Sequence, residues 1–375
     1  MRATLADASL ARYAGQFVWL ALDFDRPENQ SFLARHGATY TPSFYIIDPN
    51  TEQAAATQLG AMTLSEVTQF LERGAHVISA KAENPADAEL ARGDHLLGQD
   101  QTANAAAAYR KALDLGGEKW AQRERALGAY TMSLMMSGQS QVCAETSAAE
   151  APHLTRGEMF GRVVLSGLTC VNAAHSEPWA EPARRALKAL AVEAVSLPAT
   201  VRDHRFQLYR QLTYEADLRE DQVTARQWSN RWLDELDTTK PANDEERAAL
   251  DIARVEAEQG AGDPNRILPA LIASEQAMPN SYNASLRLAQ MEAEAKQYDK
   301  ATAACDRGLK HVTGPIGRTW LLETKADALM GKGDSAAARG VLEEAMRSAQ
   351  TIARKRTRDN NIAKISQAMK EARTK

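Results

Sequence analysis

Three cysteines, seven histidines, two neighbouring aspartates and one Thr-Pro step are the residues of this 375-residue chain whose types could support chemistry. Cys143, Cys170 and Cys305 form no Cys-x-x-Cys pair, and none of them lies between Met1 and Gln141. A dithiol enzyme needs a second thiol close to the first to resolve its mixed disulfide. That mechanism is absent from the chain as written. Each cysteine reads as a small apolar residue on a buried helix face, and a Cys143–Cys170 bridge between neighbouring helices is the alternative in an oxidising compartment. His36, His76, His95, His153, His175, His204 and His311 are scattered without metal-ligand spacing. With no Gly-rich phosphate loop and no serine nucleophile elbow, no cofactor is indicated. Asp23 and Asp25 read as the solvated end of a strand, with Asp25 starting a turn into Pro27. The strongest site candidate is Thr41-Pro42, where a proline opens an apolar strand.

The elements that position this step are short and mixed. Phe17–Asp23 is strand-like, Pro27 to His36 is a polar helix, Ser43 to Asp48 is an apolar strand, and a third strand-like piece ends at Leu59-Gly60. A helix over Leu64 to Arg73 follows. Thr63 is placed as its N-cap, Glu66 as the capping-box partner, Leu64, Val67 and Leu71 as its apolar stripe, and Gly74 as its left-handed C-cap. The polar link at Asn84-Pro85 begins a different pattern.

From Pro85 onward the spacing predicts helix, short turn, helix, repeated for over 260 residues with no convincing strand. Gly93, Ala105, Tyr109 and Ala112 are separated by 12, 4 and 3 residues. The same spacing recurs as Ala326, Ala338, Leu342 and Ala345, and less well as Ala289, Ala301, Cys305 and Gly308. Small residues let paired helices approach, and the larger one fills the gap between them. Further pairs fall at about 119–150, 155–195, 200–237 and 242–278, punctuated by Pro152, Pro198, Pro241 and Pro279, for about seven pairs in all. Trp120, Trp179, Trp228, Trp232 and Trp320 lie in this region and are expected mostly between helices, with one or two free to line a binding face.

Composition narrows the remaining classes. A net charge of −4 argues against general affinity for nucleic acid. No run approaches the roughly 18 apolar residues of a membrane span. Residues 351–375 carry eight Lys or Arg against Asp359 and Glu371, a balance of +6. They are expected to form a basic capping helix or tail, with Ile362, Ile365 and Met369 turned onto the last repeat.

The 12-4-3 spacing resembles the tetratricopeptide (TPR) repeat, a helix–turn–helix unit of about 34 residues. Residues 17–74 resemble the second half of a thioredoxin-fold module. Together these imply a mainly α chain: an incomplete thioredoxin-like α/β module over 1–78, a TPR-like α-solenoid over 85–350, and the tail over 351–375. The resemblance further implies a cis peptide bond at Pro42, with Thr41 and Pro42 contacting a substrate chain. It implies a thiol–disulfide oxidoreductase or isomerase whose array binds a protein or peptide client, and a periplasmic or exported location. The chain departs from that family in lacking the central strand and the cysteine motif. Two readings follow: an oxidoreductase whose Cys-x-x-Cys and strand are encoded upstream of Met1, the expected case, or a non-enzymatic TPR scaffold for protein–protein interaction.

Overall fold

A computed structural model describes residues 2–23, 27–36, 42–60, 62, 64–79, 84–353 and 355–374. They form two compact units, Met1–Glu220 and Asp221–Lys375.

The first unit opens with helix α1 (Arg2–Leu5) and a 3-10 turn (Ala8–Tyr13). The strand expected over Phe17–Asp23 does not form. One bridge joins Ala14 to Phe17, and residues 18–23 have no regular structure. Their apolar side chains face solvent, with Val18 88% and Leu20 77% exposed. An apolar run becomes a strand only where a neighbour takes its backbone hydrogen bonds, and no neighbour does so among the described residues. Helix α2 (Gln30–His36) precedes a two-stranded antiparallel hairpin, β1 (Ser43–Ile47) and β2 (Ala54–Leu59). Ser43 lies opposite Leu59, and the register shifts between Ile46 and Ile47. A hairpin and a helix are less than the thioredoxin-like module expected over 1–78, which the structure does not support.

Helix α3 (Leu64–Ser79) runs past Gly74, where the sequence placed its end. A Cβ on Gly74 would stand 2.2 Å from Ile46 Cδ1, so this glycine lets the helix lie against β1. Val67, Phe70 and Leu71 of α3 close a small core with Leu10, Tyr13, Ile46 and Ala56. Each large apolar side chain so buried contributes about 1.5–3 kcal/mol.

Helical hairpins make up the rest of the first unit: α4 (Pro85–Gly98) with α5 (Thr102–Gly116), α6 (Arg123–Met136) with α7 (Ser140–Glu150), and α8 (Glu158–Ala173) with α9 (Ala180–Ser196). Helix α10 (Arg202–Asp217) ends it. The second unit begins with α11 (Gln222–Thr238). It continues as α12 (Asp244–Ala261) with α13 (Pro264–Ala277), α14 (Tyr282–Glu294) with α15 (Tyr298–Leu309), and α16 (Pro315–Lys332) with α17 (Ser335–Gln350). Helix α18 (Lys355–Thr374) follows, with Ile365 buried and Ile362 and Met369 packed around it against α17. First helices stack on first helices, α6 on α8 on α10 in one unit and α12 on α14 on α16 in the other.

The fold is mainly helical and TPR-like, and its spacing residues do what close packing demands. A Cβ on Gly93 would meet the Tyr109 ring at 2.5 Å, while Ala105 and Ala112 are fully buried beside it. Ala326, Ala338, Leu342 and Ala345 are buried together in the α16–α17 pair, as are Ala289, Ala301 and Cys305 in the α14–α15 pair. Pro152, Pro198, Pro241 and Pro279 all fall between α-helices, whereas Pro269 is carried inside α13.

Two cysteines behave differently from the simple apolar reading. Cys143 of α7 and Cys170 of α8 form a disulfide, with Cα atoms 6.2 Å apart. Cys305 is free and buried, and burial pushes its thiol up to about 12.

Candidate partner-binding surfaces

Pro42, one half of the expected site, is exposed, and its carbonyl accepts from the Gly60 N–H at 2.9 Å, closing the mouth of the hairpin. Thr41, and with it the Thr41-Pro42 peptide bond, lies outside the described residues, as do Asp25 and the cap residue Thr63. The cysteines stand on α7, α8 and α15, outside the hairpin that holds Pro42. Among the described residues no group of three His, Cys, Asp or Glu side chains is placed to hold a metal. None of the described helices is long and apolar enough to cross a membrane.

Charge is concentrated on the faces of the first helices. In the first unit, Asp94 of α4 is almost fully buried and accepts from the Tyr109 hydroxyl at 2.8 Å and from Arg125 of α6 at 2.5 Å. Arg73 of α3 stands 3.8 Å from the same carboxylate. Burial, and then the Arg125 charge, holds the Arg73 guanidinium down to about 10. Arg162 of α8 donates to Glu66 of α3 at 2.6 Å, and both residues are buried. Glu66 thus meets a helix 96 positions away in sequence, while its expected capping-box partner Thr63 lies outside the described residues. A cavity of about 390 Å³ remains beside these ion pairs, rimmed by Gln58, Gln69 and Gln122. Helix α3 thus packs against β2 and α1, and its side chains are ion-paired to α4 and α8 of its own unit.

The second unit presents a different face. A cavity of about 510 Å³ lies along α12, α14, α16 and α18, lined by Val255, Met291, Tyr298, Glu294, Asp327 and Lys364 among others. The Tyr298 ring packs closely on Gly331, where a Cβ would stand 2.4 Å from a ring carbon. Glu258 is 2% exposed, and burial, then the neighbouring Glu294 charge, pushes its carboxyl up to about 7. Burial also raises the Glu323 carboxyl, and desolvation by its surroundings raises that of Asp327, although Asp327 remains exposed. Lys364 reaches Glu323 Oε2 at 2.9 Å, while Glu323 Oε1, buried, has no hydrogen-bond partner. Asp327 makes no ion pair among the described residues. Lys364 therefore acts on both Glu323 and Asp327.

None of these charged residues is singled out by sequence alone. Their signal is indirect: Glu258, Glu294 and Asp327 are spaced by 36 and 33 residues, close to the repeat length of about 34. Of the tryptophans, Trp228 and Trp232 are buried, while Trp320 is 42% exposed.

No family model and no curated protein sequence matches the chain. Among solved structures it is similar to a tetratricopeptide repeat protein from Parabacteroides merdae ATCC 43184, with 10% identity, a TM-score of 0.43, and coverage of 77% of this chain and 98% of that one. It is also similar to the TPR2AB domain of yeast Sti1 in complex with pHSP90, at 15% identity and a TM-score of 0.30, covering 76% of this chain and 98% of that one. The description of this chain as TPR-like rests on its own helix pairs and on the packing of Gly93, Tyr109 and their counterparts.

Proposed function

We propose that this chain is a protein-interaction scaffold that holds a peptide or a partner's segment on the faces of its first helices. One observation carries the reading: α3 already lies on such a face, gripped by Arg162 on Glu66 and by Asp94 beside Arg73. The face is chemically able to hold a polypeptide segment through buried, charge-assisted contacts. A catalytic reading has less behind it. The described hairpin contains no cysteine, and thiol–disulfide exchange needs a thiol at the substrate-contacting step. In an insulin-reduction assay with dithiothreitol the chain should match the protein-free control. The Cys143–Cys170 bridge supports residence in an oxidising compartment.

The scaffold reading is tested on an array of 15-residue peptides of random composition, probed with the full chain. Binding of a reproducible subset, lost when the protein is thermally unfolded, is expected. An array with no spot above background overturns the reading.

A further inference from the structure

Arg73 of α3 and Arg125 of α6 converge on one atom. Asp94 Oδ2 lies 2.5 Å from Arg125 Nη2 and 3.8 Å from Arg73 Nε. The other Asp94 oxygen is taken by the Tyr109 hydroxyl. Arg73 Nε and Arg125 Nη1 are buried and make no hydrogen bond among the described residues. Two guanidiniums on one carboxylate leave a positive charge uncompensated away from bulk water, which is costly. A neutral acceptor satisfies an N–H and leaves that charge in place, whereas an anion answers both. Arg162 does not alter the balance, since Glu66 matches it at 2.6 Å.

Both arginines line the cavity of about 390 Å³ in the first unit. That volume lies within the range of small-molecule sites, about 300–1,000 Å³. Much of the remaining wall is polar. Gln58 of β2, Gln69 of α3 and Gln122 carry side-chain amides, which donate and accept. Glu124 and Glu158 line the cavity too, and Glu124 accepts from the Thr155 N–H and hydroxyl at 2.9 and 2.8 Å. Their charges oppose a second negative charge on any ligand, so a monoanion fits where a phosphate dianion does not.

We propose that this cavity binds a small hydrophilic monocarboxylate, with its carboxylate received by Arg73 and Arg125 and its hydroxyl or amide groups by the glutamines. The inference goes beyond the scaffold reading and does not depend on it. Arg73 stands on α3 and Arg125 on α6, so a bound carboxylate joins the two helices. Occupancy therefore holds α3 more firmly in place, because a ligand that binds only the assembled site stabilises it.

The test titrates the full chain calorimetrically with lactate and gluconate, each beside its neutral amide, lactamide and gluconamide. Inorganic phosphate and a nonapeptide carrying three glutamates on a Gly-Ser background complete the set. At least one of the two carboxylates should bind at least ten-fold tighter than its own amide, and tighter than phosphate or the peptide. Arg73→Gln should remove at least ten-fold of that affinity. Arg73 makes no hydrogen bond to Asp94, so the fold is expected to survive, and far-ultraviolet circular dichroism checks that it does. Gln122→Trp fills the cavity from an exposed position, leaves both arginines in place, and should abolish binding as well. Saturating carboxylate should slow hydrogen exchange several-fold across residues 64–79 and leave residues 221–375 unchanged. Equal binding of acid and amide, tighter binding of phosphate or of the glutamate peptide, no binding by either carboxylate, or an affinity unaffected by both variants would each overturn the proposal.

Discussion

Asp94 and Asp327 each follow directly the small residue of a TPR-like first helix, Gly93 in α4 and Ala326 in α16, yet their surroundings diverge. Asp94 is shared among Tyr109, Arg125 and Arg73, whereas Asp327 makes no ion pair among the described residues. Part of the difference lies in the second helix. Tyr109 has a hydroxyl to give, and Leu342, at the matching position of α17, has none. The rest comes from the first helices, which bring Arg125 and Arg162 to one face and Glu258, Glu294 and Glu323 to the other. The face with both signs of charge is ion-paired to a segment of its own chain, α3, and keeps a cavity of about 390 Å³. The face richer in carboxylates keeps one of about 510 Å³ and is met by Lys364 of α18. One backbone architecture thus carries two faces of different charge, and a few side chains set the difference.

The strongest way to break this comparison is to unseat α3. Arg162→Ala removes the buried guanidinium that donates to the buried Glu66, at a cost of about 3–5 kcal/mol. Hydrogen exchange should quicken across residues 64–79 while the second unit stays protected. Pairing the change with Glu66→Leu should recover much of the loss. Unchanged protection of α3 in the single variant would mean that the ion pair does not hold it.

Reduction should separate the two units almost as strongly. Cys143 and Cys170 are 27 residues apart, and a loop of that size implies about 3–4 kcal/mol of cross-link stabilisation. Only the first unit contains the bridge, and the second has just the buried Cys305. Calorimetry with and without dithiothreitol should therefore lower one transition and leave the other in place. A uniform downward shift would contradict that assignment.

A pH titration probes the second unit. The Glu258 carboxyl is pushed up to about 7 by burial, by Glu294 and by the nearby Asp263. The folded state therefore holds a proton that the unfolded state releases near the ordinary glutamate value of about 4.3. Stability from this group is present below that lower value and is lost as pH rises toward 7, by about 1–2 kcal/mol. Glu258→Gln should flatten this decline in urea melts between pH 4.5 and 7.5. A wild-type curve that rises over the same range would show Glu258 ionised and compensated.

What could be read in advance follows the range of the forces involved. Gly93, Ala105, Tyr109 and Ala112 are legible because helix pairing acts over a dozen residues and needs small residues at fixed offsets. Phe17–Asp23 was misread because an apolar run reports burial preference and says nothing about whether a partner strand is there. The contact of Glu66 with Arg162 is not legible, since a local capping rule cannot see a helix 96 positions away. The carboxyls at 258, 294 and 323 were invisible for the same reason. Each is an ordinary acidic residue on a helix until three helices from different repeats are stacked.

The smallest expected effect lies in the turns that join the helices, and it tests whether the two units are built by the same local rules. Asp100, between α4 and α5, has φ of 59°, and Lys296, between α14 and α15, has φ of 59° as well. The equivalent turns between α6 and α7 and between α16 and α17 use Gly138 and Gly333 at φ of 72° and 88°. A side chain with a Cβ costs roughly 1–2 kcal/mol in this left-handed region. Glycine removes that strain but widens the unfolded ensemble by about 0.4–1 kcal/mol. Asp100→Gly and Lys296→Gly should each stabilise by at most about 1 kcal/mol, but the two sites are not equivalent. Lys296 is exposed and shows no side-chain bond, so the gain there should appear in full. Asp100 sits near Tyr45, whose hydroxyl is pushed up by burial and to a lesser degree by the Asp100 charge, so removing that charge also shifts the first unit's electrostatics. Urea midpoints for the two variants should both rise, Lys296→Gly by the cleaner margin. A fall at both positions would show that the turns gain more from their side chains than the backbone loses in strain.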